Sequence, residues 1–175
     1  QDGNSIKLTI DATIQEICEK AMRECYDVNK AQAVHLIAMD PYTGAILAMC
    51  SKPDYDPNDP PRDQPDALTR LMRIRLISDA YEPGSTFKAL VLAAALEEGA
   101  VSESDTFYCP GYYMVEGWPK PISCSKKAPG HGTQTLAEAV QNSCNPAFMQ
   151  IGQRLGIEKF YEYFQAFGLT EPTNI

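Results

Sequence analysis

The sequence has little that would suit a membrane-spanning, nucleic-acid-binding or repetitive protein. No hydrophobic run is long enough to cross a bilayer or to act as a signal peptide. Basic residues are few, with 15 Lys and Arg against 23 Asp and Glu, and the net charge of −8 argues against a surface for nucleic acid or anionic lipid. Internal repeats and low-complexity tracts are also lacking. What is present, 44% hydrophobic residues in a chain of 175, suffices for the core of one ordinary globular domain.

The most informative motif is a serine at the start of an apolar helix. A Pro-Gly pair precedes Ser85, and Lys88 follows three residues later. Residues 89–98 are rich in strong helix formers and end at a glycine, so they predict a helix that begins near Ser85. Residues three apart on a helix share a face, so Ser85 and Lys88 would be able to exchange a proton. Because apolar residues cover every side of this helix, we expect it to be buried all round.

Burial of this helix would change the chemistry of Lys88. Desolvation disfavours the charged amine and lowers its pKa, so a neutral Lys88 could act as a base. Ser85 would feel the positive end of the helix dipole, which favours developing negative charge on its oxygen. The alternative is a helix-capping Ser85 followed by a solvated Lys88. The Pro-Gly break and the wholly apolar helix favour the activated nucleophile.

A second Ser-x-x-Lys copy, Ser123 and Lys126, is interpreted as chance. The pattern should occur about once by accident in a chain of this length. The copy runs directly into Pro129 and Gly130, which are incompatible with the helix that would hold the pair in register.

A Ser-x-Asn motif, Ser143 and Asn145, lies between two predicted helices. A capping-box signature opens the upstream helix. We predict Asn145 as the N-cap of the downstream helix, with Pro146 at its first position. Beside that structural role, the Asn145 amide is suited to hold a substrate backbone carbonyl. Ser143 has no capping role, and its hydroxyl would complete a proton path between Lys88 and a leaving amine.

These motifs resemble those of class B penicillin-binding proteins, the monofunctional peptidoglycan transpeptidases. Residues 75–88 are similar to their nucleophile segment, and residues 131–145 are similar to their second motif with its lead-in. The similarity extends over nearly the whole chain, including residues 8–11 and 40–49. It is closest to the Gram-positive branch, with its division and sporulation types.

The resemblance implies a role for each motif residue. Ser85 would be the acyl-accepting nucleophile, Lys88 its base, Ser143 a proton relay and Asn145 a substrate contact. The family's third motif, Lys followed by Ser or Thr and then Gly, does not occur in the sequence, and residues 42–44 are interpreted as a turn. In the family that strand binds the substrate carboxylate and supplies one of two oxyanion-hole N–H groups, the other here being that of Ser85. Loss of one donor lowers rates about 100-fold, so we expect the 175-residue chain alone to be a poor enzyme.

The resemblance also implies a fold, a location and partners. The fold would be α/β (α+β) of the serine β-lactamase and transpeptidase type, but incomplete, with an N-terminal helix, a hairpin and a mainly helical subdomain. Residues 1–175 would be part of a transpeptidase domain, with the membrane anchor, the dimerisation region and the C-terminal part lying elsewhere. The protein would act at the extracytoplasmic face of the bacterial membrane. Expected partners are peptidoglycan stem peptides ending in D-Ala-D-Ala, β-lactams and a membrane glycosyltransferase, with no nucleic acid, cofactor or metal.

Two functions stay open on the sequence. One is a serine transpeptidase that cross-links stem peptides through an acyl-enzyme. The other is a non-catalytic β-lactam sensor or interaction module of the same fold. The motifs do not separate a transpeptidase from a carboxypeptidase.

The remaining sequence patterns predict the order of the elements. Asp11 should cap a first helix, and residues 33–39 and 45–50 should form a hairpin. Residues 52–66 are crowded with Pro and Asp and predict an exposed loop. Further helices are predicted at residues 136–142, 146–155 and 157–167. Because a two-stranded sheet alone is marginal, we expect an exposed apolar edge that self-association or a companion chain would cover.

The six cysteines are even in number, which fits an oxidising compartment. Three are interpreted as small buried apolar residues: Cys18, Cys25 and Cys50. Cys109 and Cys124 bracket a predicted hairpin, and a disulfide between them is as well supported as two free thiols. A zinc site formed by Cys109, Cys124 and His131 is less favoured, because the spacing lacks paired ligands. His131 is interpreted as a loop residue, and no chemistry is assigned to Cys144.

Overall fold

A computed structural model describes residues 3–173, and the contacts divide the chain after Tyr81 into two compact units. We call them the N-terminal unit and the C-terminal unit. Each has its own secondary structure and its own buried residues. Between residues 3 and 173, no helix combines the length and apolar character needed to cross a bilayer.

The N-terminal unit is a long helix packed on a hairpin. Helix α1 (Ala12–Asn29) lies against the antiparallel strands β1 (Val34–Met39) and β2 (Ile46–Lys52). The helix begins as predicted, because the Asp11 carboxylate accepts the N–H groups of Thr13 and Ile14, both at 2.9 Å. Met22 and Ala48, at 2% and 0% exposure, mark the contact between helix and hairpin.

Two features of this unit differ from the predictions. The exposed loop ends earlier than expected, because helix α2 (Pro65–Met72) starts at a proline and is followed by α3 (Arg75–Ser78). Cys25 is exposed and Cys18 half-buried, whereas Cys50 is buried as predicted. The apolar stripe of α1 is wider than the face that the hairpin covers. Residues at the edge of this stripe, such as Cys25, therefore remain exposed to solvent.

The C-terminal unit alternates helices with two short antiparallel strand pairings. It opens with a 3-10 helix (Gly84–Phe87) and α4 (Lys88–Glu97). Strand β3 (Thr106–Cys109) pairs with β6 (Gly132–Thr135), and β4 (Tyr112–Tyr113) pairs with β5 (Ile122–Ser123), which forms the predicted hairpin. Three helices end the unit, close to their predicted positions: α5 (Leu136–Gln141), α6 (Asn145–Leu155) and α7 (Ile157–Ala166).

Helix α6 is the centre of this unit. Its Ala147 and Ile151 are fully buried, and the helix packs against α4, α7 and β3. Phe107 of β3, at 1% exposure, adds the largest buried side chain of the same core. The start of α6 carries the Ser-x-Asn motif, so that motif is attached to the best-packed element of the unit.

The prediction that α4 is buried on every side is wrong. Ala94 and Ala95 are buried, but Ala89, Ala93 and Leu96 are exposed along one stripe of the helix. The reason is that α4 packs against α6 and α7 through one side, which leaves the opposite side uncovered within this unit.

Candidate active site

Ser85 lies in the 3-10 turn that leads into α4. Gly84, with a φ of +60°, turns the chain into this helix, and the Lys88 N–H donates to the Ser85 carbonyl. In a 3-10 helix residues three apart lie in line, so the backbone stacks Ser85 and Lys88 on one face. The neighbouring Thr86 hydroxyl donates back to the Pro83 carbonyl at 2.7 Å. Ser85 is exposed, so its hydroxyl is open to an incoming molecule.

An aromatic cluster holds Phe87, which lies between Ser85 and Lys88 in the sequence. The Phe87 ring lies 6.2 Å from the Phe160 ring and 6.1 Å from the Phe164 ring, centroid to centroid. Both partners belong to α7. The turn is therefore packed against a second helix immediately beside Ser85 and Lys88.

Lys88 joins the two sequence motifs. Its Nζ donates to the Ser143 carbonyl at 2.7 Å, to Ser143 Oγ at 3.0 Å and to Asn145 Oδ1 at 2.6 Å. An ammonium group has three N–H donors, so these acceptors occupy all of them. Across residues 3–173, Ser85 is not among the hydrogen-bond partners of this amine. The predicted proton exchange between Ser85 and Lys88 therefore stays a prediction, while the link from Lys88 to Ser143 is direct.

Burial lowers the pKa of Lys88, as the sequence predicted, because desolvation disfavours the ammonium form. Negative charge on Cys124 and Cys144 acts in the opposite direction and weakens the effect. The Phe148 ring, 5.3 Å from Nζ, forms one apolar wall of the amine site. Once neutral, Lys88 has two N–H groups and one lone pair, so it can keep only two of its three present hydrogen bonds. Its lone pair is then available to accept a proton.

Ser143 has a strained backbone that the sequence did not reveal. It follows α5 in the left-handed region, with a φ of +46°. Its N–H donates to the Val140 carbonyl at 2.9 Å, and the Cys144 N–H donates to the Ala139 carbonyl at 3.0 Å. This pattern is a Schellman motif, whose left-handed position is usually glycine. A serine there costs about 1 kcal/mol, and this strained residue presents both its carbonyl and its hydroxyl to Lys88.

The prediction that Asn145 caps α6 is wrong. Cys144 occupies the N-cap position, and Asn145 is the first helical residue. A capping side chain must turn back to the N–H groups of its own first turn. The Asn145 amide instead bridges two other segments, accepting from Lys88 and donating through Nδ2 to the Ser123 carbonyl at 2.9 Å. Its side chain therefore contributes to the site rather than to the helix end.

Comparison with known proteins agrees with this arrangement of motifs. Residues 34–175 match the family model of the penicillin-binding protein transpeptidase domain. The chain belongs to this family. As the sequence motifs indicated, it is a class B penicillin-binding protein transpeptidase domain, and its mixed helices and short strands match solved structures of that fold.

Three relatives show how far the similarity extends. Stage V sporulation protein D of Bacillus subtilis is 42% identical over all of this chain and 26% of its own length. The peptidoglycan D,D-transpeptidase PbpA of Mycobacterium tuberculosis is 36% identical over 97% of this chain and 37% of its own length. Penicillin-binding protein A of M. tuberculosis, solved as a penicillin G acyl-enzyme complex, aligns with a TM-score of 0.77 at 35% identity, covering 94% of this chain and 40% of that structure. The chain thus spans roughly a quarter to two fifths of these relatives.

The second Ser-x-x-Lys copy in this penicillin-binding protein domain has no helical geometry. Ser123 ends strand β5, and Lys126 lies in the bend that follows. The Ser123 carbonyl serves the site only as the acceptor for Asn145. Interpreting this copy as chance agrees with its place in the fold.

Beside the motifs, the domain gathers Cys109, Cys124 and His131, the less favoured zinc ligands of the sequence analysis, together with Cys144, to which the sequence assigned no chemistry. The ligand atoms of Cys109, Cys124, His131 and Cys144 all lie within 4.8 Å of one another. Cys109 and Cys124 are separate thiols rather than a disulfide. His131 lies in the bend before β6, as predicted, and its Nδ1 lies 3.6 Å from Cys109 Sγ and 3.5 Å from Cys124 Sγ. The sequence signal for the fourth member was the position of Cys144 inside the second motif.

The surroundings of these thiols separate their acidities. Burial acts to raise the pKa of Cys124, but N–H groups of Lys126 and Asn145 and neighbouring side chains outweigh it and lower the pKa to about 7. Burial raises the pKa of Cys144 to about 12, in spite of a hydrogen bond from the Ala147 N–H. Of Cys124 and Cys144, Cys124 therefore forms its thiolate first.

Proposed function

We propose that this chain carries the acylation machinery of a peptidoglycan D,D-transpeptidase. The observation behind the proposal is the position of Lys88, one 3-10 turn after the exposed Ser85 and hydrogen-bonded to both Ser143 and Asn145. This amine thus follows a candidate nucleophile by one turn and hydrogen-bonds to a hydroxyl that can pass a proton onward. Because the chain spans only 26% and 37% of its two curated relatives, the activity proposed is that of a complete domain.

In the first half-reaction, Ser85 Oγ attacks the carbonyl of the penultimate D-Ala of a stem peptide. The new bond joins Oγ to the carbonyl carbon, and the bond from that carbon to the terminal D-Ala nitrogen breaks. Neutral Lys88 takes the Ser85 proton, and Ser143 Oγ, 3.0 Å from Nζ, passes a proton to the leaving amine. N–H groups of the first helical turn lack partners within the helix and favour the negative charge that develops on the carbonyl oxygen.

In the second half-reaction, the amine of a neighbouring stem peptide attacks the Ser85 ester. The amine gives up a proton along the same path in reverse, and Ser85 leaves with its proton restored. Water would release a shortened peptide instead, so a transpeptidase must favour the amine over water at this step. Asn145 Nδ2, which now donates to the Ser123 carbonyl, has a second hydrogen available for a substrate carbonyl.

The same chemistry suggests the location and the inhibitors. Stem peptides are cross-linked outside the cell membrane, so we propose that the protein acts on the extracytoplasmic face, beside a membrane glycosyltransferase that supplies the glycan strands. β-Lactams would acylate Ser85, in line with the penicillin G acyl-enzyme complex of the mycobacterial relative. Ser85 is exposed enough to meet either kind of molecule.

Covalent labelling by a fluorescent penicillin tests the nucleophile. The full-length protein that contains this chain is incubated with the probe, and the site of attachment is located by peptide mass spectrometry. We expect one label, on Ser85, and its loss in Ser85→Ala. Thr86→Ala removes the neighbouring hydroxyl and Ser123→Ala removes that of the second Ser-x-x-Lys copy, and both should label normally. Absence of label on a folded protein would overturn the proposal.

Turnover separates an enzyme from a sensor of the same fold. A β-lactam sensor would be labelled on Ser85 but would release no D-Ala from a D-Ala-D-Ala peptide. A transpeptidase would release D-Ala and join the remaining acyl group to an added amine. Labelling without D-Ala release would therefore exclude the transpeptidase function and support the sensor function.

A further inference from the structure

Four side chains that bind soft metal ions converge on one point of the C-terminal unit. Cys109 ends β3, Cys124 follows β5, His131 precedes β6 and Cys144 caps α6. We propose that these residues form a zinc site of the Cys3His type. No step of the proposed transpeptidase reaction uses these groups, so the inference stands independently of that function.

The distances within the cluster match a tetrahedral zinc site. With Zn–S bonds of about 2.3 Å and Zn–N bonds of about 2.0 Å, tetrahedral geometry places two sulfurs about 3.8 Å apart and a sulfur and a nitrogen about 3.5 Å apart. Cys124 Sγ and Cys144 Sγ are 3.9 Å apart. His131 Nδ1 lies 3.6 Å from Cys109 Sγ and 3.5 Å from Cys124 Sγ. Since all four ligand atoms lie within 4.8 Å of one another, a contraction of about 1 Å or less would bring the remaining pairs to the same geometry.

The groups around the sulfurs are those that thiolates require. Backbone N–H groups of Lys126 and Asn145 donate to Cys124, and the Ala147 N–H donates to Cys144. The Gln134 side chain, 3% exposed, also favours the thiolate form of Cys144. Among residues 3–173, its Nε2 is the buried side-chain nitrogen that lacks an ordinary hydrogen-bond partner. Such outer contacts orient and stabilise the ligands of a metal site.

The ligand set favours zinc over harder ions. Three thiolates and one imidazole suit Zn²⁺, whereas Mg²⁺ and Ca²⁺ require oxygen ligands. The three cysteines are buried, and all four positions of a tetrahedron are filled by protein, which is typical of a structural rather than a catalytic site. Binding releases to solvent every thiol proton that is still present, so the ion is held by charged sulfurs.

The site would position the second motif. Cys144 lies between Ser143 and Asn145, the two residues that hold Lys88. A metal bond to Cys144 would tie this turn to two strand ends that are distant in sequence. We therefore assign Cys144 as a positioning residue, and this consequence rests on the proposed function.

Metal analysis of the protein tests the site directly. The full-length protein is purified without a polyhistidine tag, under reducing conditions, and its zinc content is measured by inductively coupled plasma mass spectrometry. We expect one zinc per chain, and its loss in His131→Ala and Cys144→Ser. His35→Ala and Cys25→Ser remove the same side-chain types from the N-terminal unit and should keep the metal. Cobalt substitution should give the visible absorption of tetrahedral cobalt with thiolate ligands.

A conservative variant keeps the test decisive if others fail to fold. His131→Cys completes a four-cysteine set and should retain zinc, with an altered cobalt spectrum and penicillin labelling restored relative to His131→Ala. Wild-type protein without metal, with its thiols free or with a disulfide found by peptide mapping, would overturn the proposal. If the wild type holds zinc but takes no label, the metal site stands and the transpeptidase assignment fails.

Discussion

Lys88 is held by more polar contacts than any other side chain at the site, and all three of its partners belong to the second motif. These acceptors favour the ammonium form, while burial disfavours it, and burial prevails because the pKa is lowered. Proton transfer at Lys88 is thus set by a balance of opposed effects. Changes to either side of that balance should shift the pH dependence of acylation.

The rate of penicillin labelling should rise with pH and then level off. Only the neutral amine can accept the Ser85 proton, so below the pKa of Lys88 the rate should increase about tenfold per pH unit. Because burial lowers this pKa, the midpoint should lie below 10.5. Stopped-flow labelling across a pH series measures it. Lys88→Arg, which stays charged, should lose at least 100-fold in rate, and a flat profile in the wild type would exclude Lys88 as the base.

Asn145→Asp should raise the pH midpoint of the labelling rate. The new carboxylate would face Nζ across the present 2.6 Å contact, and an opposite charge at that distance raises the pKa of an amine, by about one unit or more. At neutral pH the labelling rate should therefore fall and recover as the pH increases. Asn142→Asp introduces the same charge at a residue that contacts Gln134 instead, and should leave the midpoint unchanged.

The residue types of the site and the link between Lys88 and Ser143 were predictable, but the contacts of Asn145 were not. Ser85 and Lys88 follow from a local pattern, because a helix start fixes residues three apart. Asn145 carried an equally local signal, the preference of Asn before Pro at a helix start, and that signal misled. Its amide is engaged by Lys88 and by Ser123, residues 57 and 22 positions away, and such contacts are decided by tertiary packing.

At the scale of elements, two glycines allow the loops of the cysteine cluster to approach each other. A Cβ at Gly130 would overlap the Cys109 carbonyl oxygen and the Gly111 nitrogen. A Cβ at Gly111 would lie 2.6 Å from the Ala128 nitrogen. Backbone therefore lies directly on backbone here, which only glycine permits.

Gly130→Ala should destabilise the C-terminal unit by several kcal/mol. Gly117 provides a matched control, because it has the same φ of +78° but has no atom within 4 Å of a built Cβ. Gly117→Ala should therefore cost only the left-handed strain, about 1 to 2 kcal/mol. Urea unfolding of both variants measures the difference, which reports the clash alone. Equal losses would show that the loops do not pack as described.

The cysteine cluster shows where sequence patterns stop being informative. Zinc sites are recognised from paired ligands a few residues apart, whereas these four ligands are 15, 7 and 13 positions apart along the chain. The strand pairings of β3 with β6 and of β4 with β5 bring them together. Helices α2 and α3 escaped prediction for a different reason, since Pro and Asp mark loops and helix starts alike.

At the scale of the whole molecule, each unit has its own core, and the described site lies in the C-terminal one. In the N-terminal unit the sheet formed by β1 and β2 has two strands, as the sequence predicted. Ile37 and Met39 of β1 are 40% and 55% exposed. Apolar side chains on a two-stranded sheet favour association, and self-association stays a prediction.

Ile37→Lys should reduce any self-association of the chain. A charge on the exposed face of β1 would repel a second copy and interrupt the apolar surface. Sedimentation velocity over a series of protein concentrations should show a concentration-dependent shift in the wild type that this variant lacks. Tyr42→Lys adds the same charge at the turn, where Tyr42 is 96% exposed, and should leave association unchanged. A wild type that stays monomeric at every protein concentration would show that the prediction of self-association is wrong.

At Ser143, the stability of the fold and the proposed chemistry favour different residues, because the backbone is left-handed while the side chain contacts Lys88. Glycine would relax this turn and stabilise the domain by about 1 kcal/mol, but it would remove the hydroxyl that faces Lys88. In a mutational library, Ser143→Gly should be enriched when variants are selected for expression level and depleted when they are selected for cell growth. Among substitutions at the motif residues, this opposition of the two selections is expected at Ser143, where function retains a residue that stability alone would replace.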